Sequence, residues 1–144
     1  MWKFILTALW LALLAEMDIR HKHVPVWLLS LGGIFVTIVS SYEIWKEQLG
    51  GRELFWSIIP GTVLLAIAVF TKKTGWADGV VLLFLGVLIG SRACIFSFTL
   101  SMLFISVVSM VLLALKRVRK NTKLPYLPFL CIGYLVQTTL GLAA

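Results

Sequence analysis

Thr71-Lys-Lys-Thr-Gly-Trp-Ala-Asp-Gly-Val-Val-Leu-Leu-Phe-Leu85 places a carboxylate, Asp78, at the mouth of an apolar helix. The charge-free run after it, residues 79–91, stops at Arg92. A helix of that length rises about 20 Å, short of a hydrocarbon core about 30 Å thick. To cross, it must take in Trp76, Ala77 and Asp78. The chain's one other aspartate, Asp18, sits in a matching place. The first apolar run, residues 4–15, is also too short, and spans only if it extends over about 1–18. Glu16 and Asp18 then lie at or inside the membrane boundary.

Composition supports lipid as the solvent. The 144 residues are 60% hydrophobic and 13% charged, with mean hydropathy +1.01. A soluble domain of this size cannot hide that much apolar surface. A span takes roughly 20 residues, so the expected fold is all-α, a polytopic membrane protein of about six transmembrane helices. The whole chain, 1–144, then forms one membrane domain. The second span covers 26–42, entered through Pro25, a residue suited to a first helical turn. The stretch 43–53, with Gly50-Gly51, reads as an exposed polar turn. The third span covers 54–70 and should bend at Pro60-Gly61. Runs four and five joined would be near 55 Å long, so a hairpin is expected at Gly90-Ser-Arg92. The fifth span covers 94–115 and the sixth 124–142, entered through Pro125 and Pro128.

The basic residues fall in short clusters between apolar runs. That pattern argues against nucleic acid and for the positive-inside rule. Arg20, Lys22, Lys72, Lys73 and the cluster Lys116-Arg-Val-Arg-Lys-Asn-Thr-Lys123 follow the odd-numbered spans. Lys3, Lys46, Arg52 and Arg92 lie on the other side with Glu43, Glu47 and Glu53. The first side is therefore read as cytoplasmic, with both termini outside. Asp18 and Asp78 fall on that same cytoplasmic side, although neither contributes to the count of basic residues that sets it.

Ionisable groups at membrane depth are costly and usually functional or paired. Each aspartate has a plainer reading. Asp78 also reads as an N-cap of the fourth helix. Asp18 also reads as an interfacial residue paired with Arg20 or Lys22. It lies at a helix C-terminus, though, where the dipole disfavours an anion. Glu16 competes for its role, but residues two apart on a helix point about 200° apart, so only one of them can face Asp78. Together the two aspartates suit an acid/base pair. Two close carboxylates in a low-dielectric site cannot both ionise cheaply, so they share a proton and titrate as a unit. One activates water while the other polarises a carbonyl. Peptide hydrolysis follows with neither metal nor cofactor.

His21 and His23, near Asp18 and Glu16, offer metal ligands on paper, but they lie in a wet loop without i, i+4 pairing or cysteine support, so no metal is expected. Cys94 and Cys131 lack CxxC spacing and read as apolar thiols. Gly75, Ala77 and Gly79 allow a close backbone approach around Asp78, as ordinary membrane packing also would. The six tryptophans lie mostly near span ends, as an interfacial belt predicts.

Three stretches carry a family resemblance. Asp18-Ile-Arg-His-Lys-His-Val-Pro25 resembles the D-x-R-x-x-x-I-P-N motif of the type IV prepilin peptidases. Gly75-Trp-Ala-Asp78 resembles their G-x-G-D motif, and Leu124-Pro-Tyr-Leu-Pro-Phe-Leu130 their I-P-F-G-P-F-L signature. The resemblance implies an aspartyl endopeptidase of the inner (cytoplasmic) membrane, with Asp18 and Asp78 catalytic. Arg20, Pro25, Gly75, Ala77 and Gly79 would support the site. The substrates it implies are prepilin or pseudopilin precursors, cut at the cytoplasmic face between a short basic leader and an apolar helix. Ala77 replaces the motif's second glycine, Val26 the usual asparagine, and Val80 a frequent basic residue. The tetra-cysteine segment of longer members has no counterpart, so peptidase activity without N-methylation is expected. A small non-enzymatic transport or assembly component is the competing reading. The substrate's identity and the oligomeric state are not legible.

Overall fold

The computed structural model describes residues 2–46, 50–71, 75–119 and 123–141, and these are all-helical apart from connections. Six helices follow in chain order: α1 (Trp2–His21), α2 (Val26–Trp45), α3 (Gly51–Thr71), α4 (Trp76–Ile89), α5 (Ser91–Ala114) and α6 (Leu127–Leu140). By length and composition α2, α3 and α5 can cross a membrane. The helices α4 and α6 are apolar but have 14 residues each, about 21 Å. The outward faces of α3 and α5 remain apolar, with Phe55, Val63, Ile67 and Phe70 on one and Leu103, Val107 and Met110 on the other. Exposed apolar surface on that scale is what lipid-facing helices present.

Helix α4 occupies the centre and packs against α1, α2, α3 and α5, while α6 packs between α5 and α1. The main core joins Leu11 and Leu14 of α1, Val81, Leu82 and Leu85 of α4, and Leu127, Leu130 and Tyr134 of α6. A smaller cluster joins Val36 and Val39 to Val87 and Leu88. Small residues set the tightest contact, between α3 and α4. A Cβ on Gly61 would overlap the Leu83 backbone, and one on Gly86 would overlap the Ser57 carbonyl. One on Gly79 would lie 2.9 Å from the Leu65 Cα. At these three points the helices approach to backbone distance, as small residues permit in membrane bundles.

The expected helix between 1 and 18 extends to His21, and the fourth helix does take in Trp76 to Asp78. The hairpin is tighter than expected. Only Gly90 lies outside the helices, at φ +87, a backbone conformation glycine adopts freely. The turn at 43–53 needs correction. Helix α2 continues through Glu43 to Trp45, and α3 begins at Gly51, so Glu43 and Glu53 are helical. Glu43 is buried and pairs with Lys3, joining the start of α1 to the end of α2. A buried carboxylate with a cationic partner keeps a helix polar residue inside where a loop was expected. The sixth helix starts at Leu127 rather than 124, with Pro128 in its first turn. Glu47, Lys72, Lys73 and Lys120 lie outside the described residues.

Candidate active site

Each aspartate continues an apolar stripe. On α1, Leu11, Leu14 and Ala15 are buried, and Asp18 falls at the next position of the i, i+3, i+4, i+7 row. On α4, Asp78 begins the row that continues through buried Val81, Leu82 and Leu85. The two rows meet in one core. Asp18 ends its row and Asp78 starts the other, so antiparallel packing brings both carboxylates to one end of the bundle. Both are half-buried and interact electrostatically. They line one cavity of about 470 Å³. Glu16 lies off the stripe. It is exposed and pairs with Arg20 one turn on, at 2.8 Å.

The cavity has a second polar feature that the sequence did not reveal. The Leu127 backbone N–H donates to Oδ2 of Asp18 at 3.3 Å, a long bond, and the Tyr126 N–H also acts on that carboxylate. The signal for it was the Pro-Tyr-Leu-Pro stretch, which starts a helix beside the site. Tyr126 itself lines the cavity. Lys22, His23 and Lys123 supply basic groups to the wall, and Leu64 and Met102 supply its apolar part.

Asp78 is not the N-cap of α4. Gly75 holds that place, without a side-chain cap, and Asp78 is in the first turn with its N–H donating to the Gly75 carbonyl at 3.1 Å. An anion there is favoured by the helix dipole. Gly75 lies under the carboxylate, since a Cβ on it would be 3.1 Å from Asp78 Oδ2. Gly75 and Ala77 both line the cavity.

The other expected supporting residues lie elsewhere. Pro25 is the N-cap of α2, at φ −69, and Gly79 is buried in the α3 contact. Arg20 neither lines the cavity nor pairs with Asp18, because Glu16 one turn earlier takes its guanidinium. His21 and His23 stack loosely, ring centroids 5.9 Å apart. Among the described residues no group of three or more His, Cys, Asp and Glu is placed to hold a metal ion.

Residues 5–114, about three quarters of the chain, match the type IV leader peptidase family. The chain belongs to that family. Membership makes it a peptidase of the leader-peptidase kind. The match takes in Asp18, Pro25, Gly75 and Asp78 and ends before α6, so the contact of α6 with Asp18 is an observation independent of it. Comparisons of this leader peptidase with curated proteins and with solved structures returned no match.

Proposed function

We propose that this leader peptidase is a membrane-embedded aspartyl endopeptidase acting on type IV prepilin or pilin-like precursors. In this reading Asp18 and Asp78 are its catalytic pair. The observation that carries it is the presence of the chain's two aspartates, 60 positions apart in sequence, on the wall of a single cavity.

The chemistry follows from sharing one proton. Asp18, which accepts backbone N–H, is the member better suited to stay ionised, because donors to a carboxylate favour its charged form. It takes a proton from water as the water oxygen attacks the scissile carbonyl carbon. Asp78, carrying the shared proton, hydrogen-bonds the carbonyl oxygen and offsets its developing charge. The tetrahedral intermediate collapses when the C–N bond breaks and the proton held on Asp18 passes to the leaving nitrogen. Both carboxylates and the proton are recovered, and one water has been consumed. No covalent intermediate forms on the enzyme.

All six helices then cross the membrane, the short ones by drawing polar ends to the interface, in a single 1–144 domain with both termini outside. Nine basic residues follow the odd-numbered helices, against four on the other side, which supports a cytoplasmic aspartate end. A short leader reaches the site from there, and the apolar segment behind it lies beside Leu64 and Met102. Co-expression with a pilin-like precursor tests the reading. The precursor is expected to shorten by its leader only when this protein is present. An uncut precursor beside a normally inserted protein would favour a non-enzymatic membrane component.

A further inference from the structure

We propose that Tyr126 is a positioning residue for Asp18: its side chain fixes the start of α6 on α5, so that two backbone N–H groups stay aimed at the Asp18 carboxylate. This rests on the reading above, in which Asp18 is the base.

The first turn of α6 has few donors to offer. The N–H groups of Phe129 and Leu130 both donate to the Tyr126 carbonyl, at 3.0 and 3.1 Å. Pro128 has no N–H. What remains is the N–H of Leu127 and that of Tyr126, and both act on Asp18. No side chain caps this helix from its own N-cap position. Asp18, from a helix over a hundred residues earlier, fills that place.

The tyrosine side chain is held in turn by α5. Its ring meets Phe98 edge-on, with centroids 6.4 Å apart. Its hydroxyl lies 3.1 Å from Ser101 Oγ. The direction of that bond follows from Ser101's other contact. Ser101 donates its one proton to the Phe98 carbonyl at 2.7 Å, so it can only accept from Tyr126. The chain of donors runs from Tyr126 to Ser101 to a helix carbonyl. Ser101 is fully buried and Tyr126 nearly so, which leaves water little chance to replace the bond. The I-P-F-G-P-F-L signature has phenylalanine at this place, so the hydroxyl adds to the anchor and is not a requirement of cleavage.

Several charged groups share the surroundings of Asp18. Asp78 faces it from α4. Lys22 just after α1, His23 before α2 and Lys123 before α6 line the same cavity. Helix α5 contributes Met102 to that wall and no charge. The variants below leave all of these in place.

The test is the pH dependence of kcat/KM for precursor cleavage by the full chain in detergent or vesicles. Tyr126→Phe and Ser101→Ala are compared with the parent and with the double variant. Loosened N–H donors favour the Asp18 carboxylate less, so acid silences the enzyme sooner. Each single variant is expected to stay active, with its acid limb moved upward by about half to one pH unit. The double variant should move no further, because both changes cut one bond. Ser101→Ala cuts that bond while leaving the sequence of α6 and its N-cap unchanged, which guards against a folding defect at Tyr126 itself. Acid limbs that coincide with the parent's, or shifts that add in the double variant, would overturn the proposal. Asp18→Asn separates the two levels. A dead Asp18→Asn beside unshifted Tyr126→Phe overturns only the positioning role, whereas an active Asp18→Asn overturns both.

Discussion

A methyl group on Gly75 would lie 3.1 Å from Oδ2 of Asp78, close enough that the carboxylate would have to move. Gly75 has φ −65 and ψ 125, which alanine adopts without strain. Gly75→Ala should therefore leave folding and insertion intact and disturb only the aspartate. Cleavage is expected to fall by roughly ten- to a hundredfold, since small misplacements of a reacting group are costly. Precursor processing measured beside the variant's thermal unfolding in detergent checks both halves. A matching loss of stability would assign Gly75 to folding instead.

Gly79 makes the opposite prediction. Its neighbour is the backbone of Leu65, whose Cα and N would lie 2.9 Å and 3.0 Å from an added methyl, and backbone cannot swing aside. Gly79→Ala should push α3 from α4 and destabilise the bundle by about 1–3 kcal/mol, the usual range for overpacking. Denaturant unfolding of the purified variant reads this directly. Activity should fall as well, because α4 carries Asp78.

Arg20 tests how far a motif can be carried by position alone. The resemblance places it in support of the site, whereas the structure pairs it with Glu16 on the exposed side of α1. Exposed i, i+4 pairs contribute about 0.3–0.5 kcal/mol. Arg20→Ala is expected to keep cleavage and stability within about twofold of the parent. A large loss of cleavage at unchanged stability would mean that Arg20 meets the substrate.

The sequence was most legible where a physical limit acted locally. Apolar run lengths set against bilayer thickness predicted that the first and fourth helices would reach Asp18 and Asp78, and that runs four and five would separate near Gly90. The i, i+4 spacing also decides between Glu16 and Asp18, since only the latter continues the Leu11–Leu14 stripe. What could not be read depends on distant partners. Glu43 looked like a loop residue because its cation, Lys3, lies 40 residues earlier, at the start of α1. The role of 124–130 stayed hidden for the same reason. Pro125 and Pro128 announce a helix start, but nothing local says that its free N–H groups meet Asp18 or that Ser101 receives the Tyr126 hydroxyl.

The most direct measurement is leader cleavage in membranes carrying Asp18→Asn or Asp78→Asn, each made alone, with insertion and protein level verified. An acid/base pair needs both members, and an amide can neither take the water's proton nor supply one. Each variant is expected to lose activity by about a thousandfold or more while inserting normally. Near-parental cleavage by either one would contradict the paired-aspartate account.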